Sequence, residues 1–121
     1  MVIVSRQDEL RDRTKKFAIR IVRLFRALPK SIEAQVMGKQ LLRCGTSAAA
    51  NYRAACRARS KAEFVARIGI VAEEADESVL WIEMLEETNV LSRDRLAEIV
   101  KEARELTAIF SASHKTARDN R

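Results

Sequence analysis

The sequence predicts an all-α fold, an up-down-up-down (antiparallel) four-helix bundle. Three observations carry that prediction. Apolar residues recur at three- and four-residue intervals through most of the chain. Only three Gly and one Pro punctuate 121 residues. Ser residues stand where the apolar stripe restarts, as helix N-caps do. Four amphipathic segments joined by tight turns pack most simply as antiparallel neighbours crossing near about 20°. With aromatics at 5%, the core must come mainly from Leu, Ile, Val and Ala, and few rings are left to stack on bases.

The first helix is read from near Ser5 to Leu28, where Pro29 stops it. Leu10, Phe17, Ile21, Leu24, Phe25 and Leu28 form its apolar stripe, and Arg6, Arg13, Lys16, Arg20 and Arg23 a basic one. Ser31 is the candidate N-cap of a second helix from Ile32 to about Ala58. This helix carries two seams. One is Met37, Leu41, Cys44, Ala48, Asn51 and Ala55; the other is Gly38, Leu42, Gly45, Ala49, Tyr52 and Cys56. One seam is expected to face the bundle and the other a neighbouring subunit, with Ser47-Ala48-Ala49-Ala50 permitting close approach. Ser60 and Glu63 read as a capping box that starts a third helix at Lys61. Its stripe is Phe64, Ile68, Val71, Ala75, Ser78, Ile82 and Leu85, and Asn89 is a candidate left-handed cap at its end. Ser92 caps a fourth helix with Leu96, Ile99, Val100, Ala103, Leu106 and Phe110 inward. Residues 1–112 therefore form the bundle domain, and residues 113–121 read as a polar, frayed tail.

The net charge of +6 hides a split. Residues 1–62 hold 15 basic and 4 acidic side chains, net +11; residues 63–121 hold 8 and 13, net −5. Between Ala34 and Ala62 there are six basic residues and no acidic one. Lys39, Arg43, Arg53 and Arg57 share one flank of the second helix, and a hairpin of the first two helices would lay the two basic stripes side by side. Such a surface attracts phosphates by releasing counterions. The same charges could instead meet the acidic half of a second copy, head to tail.

The parts of a catalytic site are not assembled. The one His, His114, falls in the polar tail, no Gly-rich phosphate loop is present, and no Ser or Cys has a base near it in sequence. An enzyme is not expected, nor a cofactor. Glu73, Glu74, Asp76 and Glu77 lack the Glu-x-x-His pairing that bundle metal sites use, so they read as a solvated or intersubunit acidic face. Asn51, in an apolar seam, should bond to a helix carbonyl or a facing polar side chain and so fix register. Cys44 and Cys56 lie about 18 Å apart along one helix axis, too far to pair within the chain. Met1-Val2-Ile3-Val4 is too short for a signal peptide and no apolar run reaches membrane length, so a cytoplasmic protein without membrane contact is expected.

Leu28-Pro29, the spacing of Gly38, Gln40-Leu41, Arg43, Ser47 and Asn51, then Arg59-Ser60 and Glu63-Phe64, agree in type, order and gap with one family's pattern. Over most of its length the chain resembles the four-helix-bundle family first noticed as reading frames inside intervening sequences of bacterial 23S rRNA genes. The resemblance implies a homopentamer. It also implies kinship with the accessory variability proteins of diversity-generating retroelements, which bind nucleic acid and a reverse transcriptase. Where the common pattern has Asn-Ile-Ala-Glu-Gly, this chain reads Asn51-Tyr52-Arg53-Ala54-Ala55, losing a Glu and gaining an Arg.

The sequence is thus expected to encode a basic, pentameric bundle that binds RNA or DNA by electrostatics, as an accessory to a reverse transcriptase or another neighbouring-gene protein. The candidate contacts are Arg13, Lys16, Arg20, Arg23, Lys39, Arg43, Arg53 and Arg57. The alternative is a structural oligomer or protein scaffold with no nucleic-acid ligand.

Overall fold

A computed structural model describes residues 5–120. Residues 1–4, read above as too short for a signal peptide, lie outside the described residues, as does residue 121. Four helices follow in order: α1 (Arg6–Arg26), α2 (Ile32–Cys56), α3 (Lys61–Glu87) and α4 (Arg93–Asp119). Consecutive helices pack along their lengths as an antiparallel four-helix bundle, while α1 and α4 close the ring along a thinner seam.

The helix ends obey local chemistry. Ser5, Ser60 and Ser92 each accept a backbone N–H from three residues on, at 3.1, 3.1 and 3.3 Å. Ser31 has the extended backbone of a cap but makes no side-chain capping bond. The Glu63 carboxylate reaches back to the Arg59 N–H, 3.3 Å away, one residue beyond the usual capping-box partner. α1 stops at Arg26 because a residue before proline is driven out of the helical region; Ala27 and Leu28 tighten the turn through bonds to Leu24 and Phe25 carbonyls. Asn89 adopts φ 62°. Its N–H bonds the Glu86 carbonyl and that of Val90 the Leu85 carbonyl, the paired bonds of a Schellman ending.

Both seams of α2 turn inward. Gly38 and Gly45 meet Leu28 and Ile21 of the α1 hairpin, where a side chain would collide, and Cys44 faces Ser78 of α3 at 3.2 Å. No α2 seam is left over for a neighbour, because α2 sits between α1 and α3 and needs a small or apolar face for each. The core between the layers holds Phe17, Ile21, Leu41, Ile68, Val71, Ile82, Leu85, Leu96, Leu106 and Phe110, all buried. Tyr52 and Phe110 tie α2 to α4 across the bundle, ring centroids 5.0 Å apart. The buried hydroxyls of Thr14 and Ser78 donate to Leu10 and Glu74 carbonyls, each at 2.9 Å.

Residues 113–119, read above as part of a frayed tail, are helical. α4 runs on to Asp119, and His114 lies over Gly69, its Nε2 about 3.0 Å from where a Cβ would stand. Phe110, Ser113, His114 and Ala117 continue the three- and four-residue spacing towards the first turns of α3. Small and polar residues carry that spacing, so an apolar stripe does not reveal it.

Candidate nucleic-acid interface

Two of the eight candidate cations are spent inside the molecule. Arg13 crosses from α1 to α4 and forks onto Glu102, Nε and Nη2 donating at 2.8 and 2.7 Å, and reaches Glu105 at 2.8 Å. The Glu102 carboxyl is held below its ordinary range, first by the hydrogen bond from Arg13 and then by its charge. Arg43 links α2 to α3 through Glu74, at 3.1 Å, and Glu77. Glu77 also accepts the Trp81 indole N–H at 3.2 Å. These pairs set Arg13 and Arg43, both named above as candidate contacts, against carboxylates of the helix each one faces. Lys16 pairs with Asp12 on its own helix, at 2.9 Å and exposed to solvent.

The two basic stripes do not lie side by side either. Packing turns Arg13, Arg20 and Arg23 of α1 towards α4, and Arg43 of α2 towards α3. At the α1–α2 seam stand Arg11 and Lys15, which were not singled out from the sequence, opposite Arg53. These three surround Ala49 and Ala50 in a depression of about 240 Å³. Arg53 and Ala50 also line its continuation, about 390 Å³, with Ala54, Arg57, Arg59 and Glu63. The result is one trough floored by alanine and walled by five cations. Glu63 is its single acid, and its carboxylate is engaged by the Arg59 N–H. Arg11 pairs with Asp8 on its own helix. Among the described residues, Lys15, Arg53, Arg57 and Arg59 form no ion pair.

The short floor side chains leave the cations of both walls open to solvent along one line. The i, i+4 spacing of Arg11 and Lys15 is a signal of this second α1 stripe that the sequence does contain. Lys39 is exposed one turn before Arg43 and stands apart from the trough. Arg20 and Arg23 line a separate groove with Arg95 of α4. No local spacing could bring Arg95 to them, since the α1–α4 adjacency exists only in the closed bundle.

Asn51 fixes the α2–α3 register: its amide donates to the Ser47 carbonyl at 3.0 Å and its oxygen accepts from Arg67 at 2.9 Å. Glu74 and Glu77 of the acidic run hold Arg43. Among the described residues no His, Cys, Asp and Glu cluster is placed to hold a metal, and no helix is long and apolar enough to cross a membrane. Both cysteines are free.

No curated protein matches the chain. A crystal structure from Bacteroides thetaiotaomicron, of a protein of unknown function from the S23 ribosomal protein family, is 34% identical. It superimposes with a TM-score of 0.84 over 93% of this chain and 100% of that one. Residues 6–112 match the 23S rRNA-intervening sequence protein family. That span takes in three whole helices and all but the last turns of α4, and the chain belongs to this family.

Proposed function

We propose that this protein is a non-enzymatic, homopentameric helical bundle that binds RNA or DNA without reading sequence. It would act in the cytoplasm as an accessory to a nucleic-acid-processing protein such as a reverse transcriptase. The observation that carries this reading is the alanine-floored trough, where Lys15, Arg53, Arg57 and Arg59 have no carboxylate partner among the described residues. Unneutralised cations on two adjoining helices match a phosphate backbone, and the scarcity of exposed aromatics argues against base recognition. The pentamer and the reverse transcriptase rest on the family resemblance; exposed Ile32, Val36 and Leu80 supply apolar surface for subunit contact.

A mobility-shift assay with single- and double-stranded probes at low and moderate salt tests the reading. Retention at low salt, lost at moderate salt and abolished by Lys15→Glu with Arg53→Glu, is the expected result. No retention at low salt, or retention unaffected by the double reversal, contradicts it.

A second reading, a structural oligomer or protein scaffold, is favoured by the internal neutralisation of Arg13 and Arg43 and by the 82% exposure of Ile32. Light scattering beside the binding assay separates the two. Assembly that persists with no nucleic acid bound favours the scaffold.

A further inference from the structure

Between the C-terminal half of α1 and the first turn of α4 lies a depression of about 270 Å³, lined by Arg20, Arg23 and Arg95 around Leu24 and Ile99. Three guanidinium groups from two helices share an apolar floor, and no acidic residue lines it. Among the described residues, none of the three forms an ion pair. The carboxylate that feels the charge of Arg20 is Glu102, yet both of its oxygens already accept N–H bonds from Arg13. Arg13 thereby engages both oxygens of the carboxylate whose charge Arg20 feels. Asp94 directly precedes Arg95, and consecutive helical residues do not share a face.

We propose that this groove binds a phosphomonoester, with the terminal phosphate of a nucleic-acid strand as its source. The source rests on the nucleic-acid reading above; the site itself does not. An internal diester carries one negative charge, whereas a terminal monoester carries about −1.5 to −2 near neutral pH and presents three acceptor oxygens. Three planar, forked donors lining one depression suit that dianion better than a diester. Arg13 is then a positioning residue: it acts on the phosphate only by occupying and neutralising Glu102.

Two measurements on the full chain test this. The first titrates inorganic phosphate while following arginine Nε–H signals by NMR, and those of Arg20, Arg23 and Arg95 should move most. The second compares single strands that carry a phosphate at the 5′ end, at the 3′ end or at neither. At least one phosphorylated strand should bind about five- to tenfold more tightly than the hydroxyl-ended strand. That ratio should fall to near one in Arg95→Gln and in Arg13→Gln, and Arg13→Gln combined with Glu102→Gln should restore it. Equal affinity for all three strands, a ratio unchanged by Arg95→Gln, or unmoved signals for the three arginines overturns the proposal. If no strand binds while phosphate still moves those signals, the groove stands as a site for free phosphate and the nucleic-acid reading falls.

Discussion

Arg13 and Glu102 show how much a single side chain can decide. The guanidinium is partly exposed and the carboxylate mostly covered, so the pair should contribute about 1 kcal/mol, at the upper end of surface pairs. Because Glu102 titrates below its ordinary value of 4.5 when folded, its contribution is present above that pH and is lost as pH falls through the folded value. Glu102→Gln is therefore expected to lower stability by about 1 kcal/mol near neutral pH and by progressively less as pH is taken down below 4.5, as a series of urea unfolding curves would read. The two cysteines separate in the same physical terms. Burial pushes the Cys44 thiol up, and its Sγ sits 3.2 Å from the Ser78 hydroxyl, while Cys56 is half-buried near the end of α2. A thiol-specific reagent should label one cysteine per native chain, Cys56, and reach Cys44 only on unfolding. Equal labelling of both in the native protein would show that the α2–α3 seam opens.

Helix boundaries were legible wherever a local interaction sets them. Ser5, Ser60 and Ser92 cap α1, α3 and α4, Pro29 ends the first hairpin arm, and Asn89 takes the left-handed position. Each of these depends on residues within one turn, which is what a sequence displays. The end of α4 was not legible, because Ser113, His114 and Ala117 are small or polar and face α3, His114 over Gly69 and Ala117 beside Ala62 and Val65. Ending the chain after Ala112 should therefore lower stability by about 1 to 2 kcal/mol and reduce helical ellipticity by roughly two turns. An unchanged melting temperature would mean that this segment adds nothing to the bundle. The assignment of the α2 seams failed for a related reason. Two small or apolar faces on one helix were visible, but whether the second meets another subunit or another helix of the same chain depends on topology, and Gly45 against Ile21 settles it inside the chain.

Across the whole molecule, the charge split between the two halves of the chain is used first to hold the bundle together. Ion pairs cross two of the seams: Arg13 with Glu102 and Glu105 between α1 and α4, and Arg43 with Glu74 and Glu77 between α2 and the acidic α3. At the α1–α2 seam cations face cations, and among the described residues Lys15, Arg53, Arg57 and Arg59 form no ion pair there. The sequence displayed the excess of charge but not its distribution, since one-dimensional spacing places a cation on a helix face without saying which helix that face will meet. The spacing of Arg11 and Lys15 is visible in the sequence, whereas the approach of Arg95 to Arg20 and Arg23 exists only in the packed bundle. The central claim, that this uncancelled seam is what holds a polyanion, is tested most directly by the salt dependence of binding. Plotting log K against log salt should give a slope of about −0.7 to −0.9 per phosphate contacted, reduced by about one such contact each in Arg53→Ala and Arg57→Ala. A slope that neither substitution changes, or no binding at low salt, would contradict it.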